Sequence, residues 1–363
     1  MATEADDHVD DPILALVSAL ESARQSGTAD QKIAALKAVR EAINPVDDSY
    51  LVQKDLATEG AVEAVVGMLG EGDEAVAVEA AGAVGALVAH SETVSVRLRH
   101  GREVGYGGRP DQVSFNPVQG TLEEVQGVRK LVDLLFGQSA SAKDAAYDAL
   151  MSACSYNHEN KLAFLRALLG RLLDGRAEAL EFLDTLMAGL EMTDDVAVVL
   201  DQALMPVLKI AKAAEGREKV DAVVLLGTIC EERPAASAFL VGEGLLQPLA
   251  QMIITGDTRA RDAAVHTMFQ VIRKNKRVLG RGEEVLGVKG SSLVDPLIQI
   301  VQAPAPAEGQ EDGNPKGFDS SDEAALVLKA LAEQDPASRE QVEEWKRTRP
   351  QGLDPEPGRC PIM

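Results

Sequence analysis

The chain has 363 residues, of which 45% are hydrophobic but only 3% aromatic, and it carries a formal net charge of −22. That surplus of carboxylates argues against nucleic acid as a partner, because phosphate contacts need Lys and Arg, and it is repelled by an anionic leaflet. Cys154, Cys230 and Cys360 make no CxxC pair and no even framework, and no signal peptide, bilayer-length apolar run or N-x-Ser/Thr sequon is present. A reducing cytosolic or nuclear setting is therefore expected, cytoplasmic in the first instance, without disulfides.

In chain order, Met1 to Asp11 (1–11) is acidic and reads as a disordered N-terminus. Pro12 opens a helix through about Gln25, and Gln31 to Ile43 forms a second. In the second, Ile33, Leu36, Val39 and Ile43 recur at spacings of three and four, which predicts one buried stripe. Asn44-Pro45 ends it. Ala57 to Leu69, Ala-Thr-Glu-Gly-Ala-Val-Glu-Ala-Val-Val-Gly-Met-Leu, predicts one helix stopped by Gly70-Glu-Gly72. Asp73 is placed to cap the next, Glu74 to Ala89.

The Ala57–Leu69 stretch returns position for position as Val241 to Ile253, with Glu59-Gly60 matched by Glu243-Gly244. Looser copies make Val62, Val128, Leu165, Leu204, Leu246 and Val294 equivalent. Their spacings run from 37 to 48 residues after a first interval of 66. Pro206, Pro248 and Pro296 share one position, read as the first turn of each copy, where a missing N–H costs nothing. A second pattern accompanies the first, an Ala followed four and seven residues on by aliphatic residues, at Ala80, Ala146, Ala179, Ala222 and Ala264. Periods near 40 residues with aliphatic helices predict an all-α fold, an α-solenoid whose units bury their faces against one another. The predicted array covers 12–302.

Arg99 to Thr121 (99–121) breaks the pattern with scattered Gly and Pro and is expected to be a loop insertion. Gly105-Tyr-Gly-Gly lacks the strand before it and the Lys-Ser/Thr after it that a phosphate loop requires. The run Arg273, Lys274, Lys276, Arg277 and Arg281 fits a helix C-terminus whose dipole favours cations, with a docking patch as the alternative. Residues 303–321 read as a Pro- and Gly-rich linker, 322–347 as capping helices that include Trp345, and 348–363 as a flexible tail. His8, His90, His100, His158 and His266 form no metal-ligand spacing, and no hydrolase elbow, P-loop or kinase signature occurs. Catalytic residues, a metal and a cofactor are accordingly not expected, and the chain reads as a non-enzyme.

Gly60-Ala-Val-Glu-Ala-Val-Val-Gly-Met-Leu69 resembles the second helix of armadillo repeats. Ala149 to Lys161, ending Asn157-His-Glu-Asn-Lys161, is similar to the end of their third helix and the turn after it. The resemblance implies a right-handed α-solenoid in which third helices line a partner-binding groove. In nuclear-import adaptors of that family the groove holds a ladder of Trp and Asn. Here the Trp positions carry Gly82, Asp148, Glu181, Val224 and His266, with Tyr147 replacing Asp148 if the register shifts by one. The Asn positions carry Ala86, Ser152, Thr185, Thr228 and Gln270. The ladder is absent, so the adaptor manner of gripping a peptide is not expected. What remains is a predicted groove of Asp148, Ser152, Glu181, Thr185, Val224, Thr228, His266 and Gln270, acidic near Asp148 and Glu181 and suited to a protein partner such as a basic segment.

The sequence closes on Cys360-Pro361-Ile362-Met363, which fits a Cys-a-a-X farnesylation motif, with Pro361 departing from the aliphatic first "a". One lipid chain gives only transient membrane contact, and the flanking charges cancel, so no polybasic second signal is present. The sequence thus predicts an adaptor or scaffold, farnesylated and transiently at membranes. The alternatives it leaves open are an Hsp70 nucleotide-exchange co-chaperone, since such factors resemble short armadillo arrays, and a regulator of small GTPases.

Overall fold

The structure is a computed structural model and describes residues 11–43, 49–89, 117–155, 157–187, 189–275, 278–279, 282–303 and 320–348. These residues form helices and connecting turns with no strand among them, as a chain rich in Ala, Leu and Glu and poor in aromatics should. The chain divides into two compact units, Met1–Leu168 and Leu169–Met363.

The first unit holds α1 (Pro12–Ser26), α2 (Ala29–Ile43), α3 (Ser49–Thr58), α4 (Ala61–Met68) and α5 (Glu74–Val88). It continues with α6 (Pro117–Glu124), α7 (Gly127–Leu135), α8 (Ala140–Cys154) and the start of α9 (His158–Leu173). Helices recur in triplets, α3-α4-α5 and then α6-α7-α8, preceded by the pair α1-α2. The third helices stack directly, α2 on α5 and α5 on α8. Between α5 and α8 the approach is close because Gly85 faces Ala149, whose Cα would lie 3.5 Å from an added Cβ. Leu20, Leu36, Leu56, Met68, Leu87, Leu131 and Leu150 fill the interior. Each contributes about 1.5–3 kcal/mol on burial.

The second unit contains the end of α9, α10 (Ala179–Met187), α11 (Asp194–Ala213), α12 (Gly216–Glu232), α13 (Pro234–Gly242), α14 (Leu246–Thr255) and α15 (Thr258–Lys274). It closes with α16 (Glu283–Leu286), α17 (Ser291–Gln302), α18 (Ser320–Gln334) and α19 (Pro336–Thr348). Here the third helices stack as α10 on α12, α12 on α15 and α15 on α18. α18 is therefore the third helix of one more repeat, and α19, packed on α17 and α18, covers the end. The all-α solenoid reading holds, built from armadillo-like triplets. No single described helix is long and apolar enough to cross a membrane.

Several expectations need correction. The Ala57–Leu69 stretch is two helices, α3 and α4, hinged at Gly60, whose φ is +93°. Glycine adopts this left-handed conformation without steric cost, so it ends one helix and admits a sharp turn. Gly244 does the same between α13 and α14, at φ +83°. At the equivalent position α9 carries Ala163 and α11 carries Gln202, and both helices run straight through. Of the three prolines only Pro248 lies in a first turn, because Pro206 and Pro296 sit inside longer helices. Pro117 to Thr121, placed in the insertion, begins α6, with Val118 and Leu122 buried. Proline is compatible with a first helical turn, so it opened a helix that was read as loop. Asp11, placed in the disordered terminus, caps α1 by accepting the Ile13 N–H at 2.9 Å. Ser320 and Ser321, placed in the linker, begin α18, and the last helix runs one residue beyond the predicted cap, to Thr348. Asp73 caps α5 as expected. Residues 90–116, which include 99–116 of the insertion, the linker's 304–319 and the tail 349–363, including Cys360, lie outside the described residues.

Gln126 holds the hinge between α6 and α7 at φ +57°, where a side chain costs about 1–2 kcal/mol. Gln126→Gly should raise stability by about 0.5–1 kcal/mol, seen as a higher midpoint in denaturant unfolding. An unchanged or lower midpoint would show that this backbone is not strained.

Candidate protein-interaction surface

In the first unit the third helices are fixed at their C-terminal ends by polar contacts the sequence does not advertise. In α3, Gln53 Nε2 donates to the carbonyls of Ala86 and Ala89 at 2.7 and 2.9 Å, closing the C-terminus of α5. Gln119 in α6, buried, donates to Val88, Ser152 and Ser155 carbonyls at 3.2–3.3 Å. Asn160, fully buried, donates to Ala153 and Gln119 carbonyls at 2.9 and 3.1 Å, and Asn157 Oδ1 caps α9 through the Asn160 N–H at 2.8 Å. These amides satisfy carbonyls at helix C-termini that have no intrahelical partner. Gln53 and Gln119 each lie seven residues before a left-handed hinge, a spacing that could have identified them.

In the first unit, α5 and α8 present the predicted row. Gly82 lies under the Arg40 guanidinium, where an added Cβ would be 3.3 Å from Nη1, and Arg40 is held by Glu79 at 2.8 Å. A tryptophan at this position would have to displace the Arg40 guanidinium. On α8, Asp148 is exposed and Ser152 is half-buried. Asp144 and Met151 share its face at helical spacing, both exposed, Met151 by 40%. Neither was singled out from the sequence, although their offsets of −4 and +3 from Asp148 put them there.

In the second unit the predicted acidity is largely compensated. Glu181 pairs with Arg217 at 2.8 Å, Arg217 with Asp221 at 3.5 Å and Asp221 with Arg259 at 3.3 Å, a ladder of alternating charge across α10, α12 and α15. Burial raises the Asp221 pKa despite its two arginines. Thr185 is exposed, while Val224 and Thr228 are half-buried, Thr228 bonding to the Val224 carbonyl. The ladder rests on a tight seam, for a Cβ at Gly227 would meet Thr267 Oγ1 at 2.6 Å. Thr267 itself is buried and donates to the Val223 carbonyl at 2.9 Å.

His266 and Gln270, predicted for the open groove, are buried instead, at 6% and 3% exposure. α18 packs over this face of α15, and His266 Nδ1 lies 2.8 Å from Glu323 Oε1. Cys154 and Cys230 are buried thiols whose pKa values burial pushes up to about 12, so neither is a nucleophile near neutral pH. Among the described residues no group of three His, Cys, Asp or Glu side chains is placed to hold a metal. The basic run survives as Arg273, near Glu231 at 3.9 Å and 6.0 Å from the Phe269 ring centroid; Lys276, Arg277 and Arg281 lie outside the described residues.

No family model matches the chain, and comparison with curated proteins finds no match. Among solved structures it is similar to a designed armadillo repeat protein in complex with the peptide (KR)4, at 15% identity and TM-score 0.37 over 88% of this chain and 100% of that one. It is also similar to an engineered protein at 17% identity and TM-score 0.44, covering 72% and 98%. A third, from a structure of the interaction between cadherin and beta-catenin, gives 13% identity and TM-score 0.47, covering 92% of this chain and 56% of that one. These likenesses say nothing about this chain's partners.

Burial raises the pKa of Asp262 on α15, and Glu323 adds to that rise while the Ser320 hydroxyl opposes it. A raised folded-state pKa means that the stability this group contributes is present below its unfolded value, near pH 3.9, and lost as pH rises through the folded value. Ionised Asp262 is therefore a cost at neutral pH. Asp262→Asn should unfold at higher denaturant than the wild type at pH 7, and the difference should shrink toward pH 4. A variant less stable at pH 7 would contradict this.

Proposed function

We propose that the chain is an armadillo-like adaptor or scaffold, which binds a protein partner along the open faces of its third helices. The observation that supports this best is the α8 face, where Asp144, Asp148 and the exposed Met151 line up. Two carboxylates in line with a flexible apolar side chain suit a basic segment carrying one hydrophobic residue, because the charges steer and the thioether adapts. Glu181 and Thr185 extend the reading to α10, where Arg217 moderates the charge, so a partner meeting that helix is offered both signs. His266 and Gln270 take no part while α18 covers them.

The direct test is titration with a fluorescent synthetic peptide of lysines around a single leucine. Asp144→Lys with Asp148→Lys should weaken binding about thirtyfold, since two like-charge contacts each cost on the order of 1 kcal/mol. Addition of salt should shrink the difference. Equal affinity of variant and wild type, with unchanged helicity, would remove the α8 face as the surface.

The finer part of the proposal concerns Cys360. Provided Met363 carries the free carboxylate, a farnesyl group on this thiol gives transient membrane contact in addition to protein binding. Intact-mass measurement of the protein from eukaryotic cells should show the prenyl addition and its loss in Cys360→Ser. An unmodified wild-type mass would dispose of the lipid without affecting the groove.

A further inference from the structure

We propose that Ser320 is a phosphorylation site, and that a phosphate there releases α18 from α15. The junction between these helices is polar. From α15 come the half-buried Asp262 carboxylate, the buried His266 ring and the buried Gln270 amide. From α18 come Ser320 and Glu323. The Ser320 hydroxyl donates to Asp262, and Glu323 Oε1 meets His266 Nδ1 at 2.8 Å. Glu323 Oε2 and Gln270 Oε1 are both buried without a hydrogen-bond partner. The junction thus already holds two carboxylates and an amide oxygen, with Glu323 Oε2 and Gln270 Oε1 unsatisfied, and the Ser320 hydroxyl is the donor that meets Asp262.

Phosphorylation would exchange that donor for a dianion. Ser320 Oγ attacks the γ-phosphorus of a nucleoside triphosphate held by a protein kinase. The new Oγ–P bond forms as the bond from that phosphorus to the diphosphate breaks, and the hydroxyl proton passes to a base of the kinase. The phosphate then faces Asp262 and Glu323. A helix N-terminus favours anions, but its partial charge is about half a unit, whereas two full carboxylate charges in a half-buried junction oppose the dianion. His266 is the single cation-forming group at the junction among these residues, and it is already engaged by Glu323. Repulsion therefore prevails. In sequence, Asp319, Asp322 and Glu323 stand at −1, +2 and +3 from Ser320, so the kinase that takes this site is one with a basic subsite for acidic flanks. Ser321 differs, for its hydroxyl donates to the Val301 carbonyl at 3.3 Å. Release of α18 would uncover His266 and Gln270, lengthening the open row of the second unit.

The test uses the full-length chain and hydrogen exchange of the α18 and α19 amides. Treatment with an acid-directed Ser/Thr kinase and ATP should add one phosphate, abolished by Ser320→Ala and retained in Ser321→Ala. Protection of α18 should fall about tenfold in the phosphorylated protein and in Ser320→Glu. Asp262→Asn in the Ser320→Glu background should restore most of it. No phosphate on Ser320, increased protection, or a loss that Asp262→Asn leaves unchanged would each overturn the proposal. Peptide binding at α8 does not enter this readout, so it stands or falls apart from the groove.

Discussion

The seam between successive third helices is the constraint on which the rest depends. Helices approach closely only where one contributes almost no side chain, and Gly85 against Ala149 and Gly227 against Thr267 meet that condition. At Gly227 a single methyl has nowhere to go, while at Gly85 it would just touch Ala149, so aliphatic stacking here needs small residues as much as large ones. The large ones, such as Leu87, Leu150 and Leu226, lie inward of the seam and supply the apolar burial. A chain with so few aromatics can build a core this way because each repeat buries only against its neighbours.

From that seam the surface chemistry follows. Stacking third helices at close range brings charged side chains of neighbouring helices within reach, and opposite signs meet across each gap. Glu181, Arg217, Asp221 and Arg259 do so, and Arg40 with Glu79 repeats the arrangement in the first unit. These are mostly exposed pairs worth about 0–1 kcal/mol each, so their importance is to decide which charge a partner meets rather than to hold the fold. α8 differs because its face carries Asp144, Asp148 and Met151 in the open, and this asymmetry singles it out.

The periodicity of apolar residues revealed the helices, and their recurrence revealed the solenoid, because both are local or repetitive signals. The hinges were less visible. Gly60 inside a strongly apolar run looks like a tolerated glycine until its partner Gly244 is seen to break a helix at the same place, and Gln126 gives no compositional hint at all. Burial of His266 was invisible for a different reason. Its cover, Glu323, lies 57 residues on in α18, beyond a stretch that reads as linker, and no local pattern connects the two. The Glu181–Arg217 pair was hidden in the same way, since the groove was judged rung by rung while its charges are settled between neighbouring rungs.

That last point bears on how a repeat protein should be read for function. A residue's position in a repeat predicts which way it faces, but whether it is available depends on the next repeat along. Asp148 and His266 occupy the same rung, yet one is exposed and the other buried, because only α15 has α18 laid over that rung with a carboxylate at hydrogen-bonding distance. The junction that results is poorly satisfied, with a half-buried Asp262 and unpartnered oxygens on Glu323 and Gln270. The seam of Gly227 against Thr267 has no such tension, since its one buried hydroxyl is bonded to the Val223 carbonyl. Stability is therefore uneven along the second unit, and the α15–α18 contact is the one where added negative charge has most to act upon.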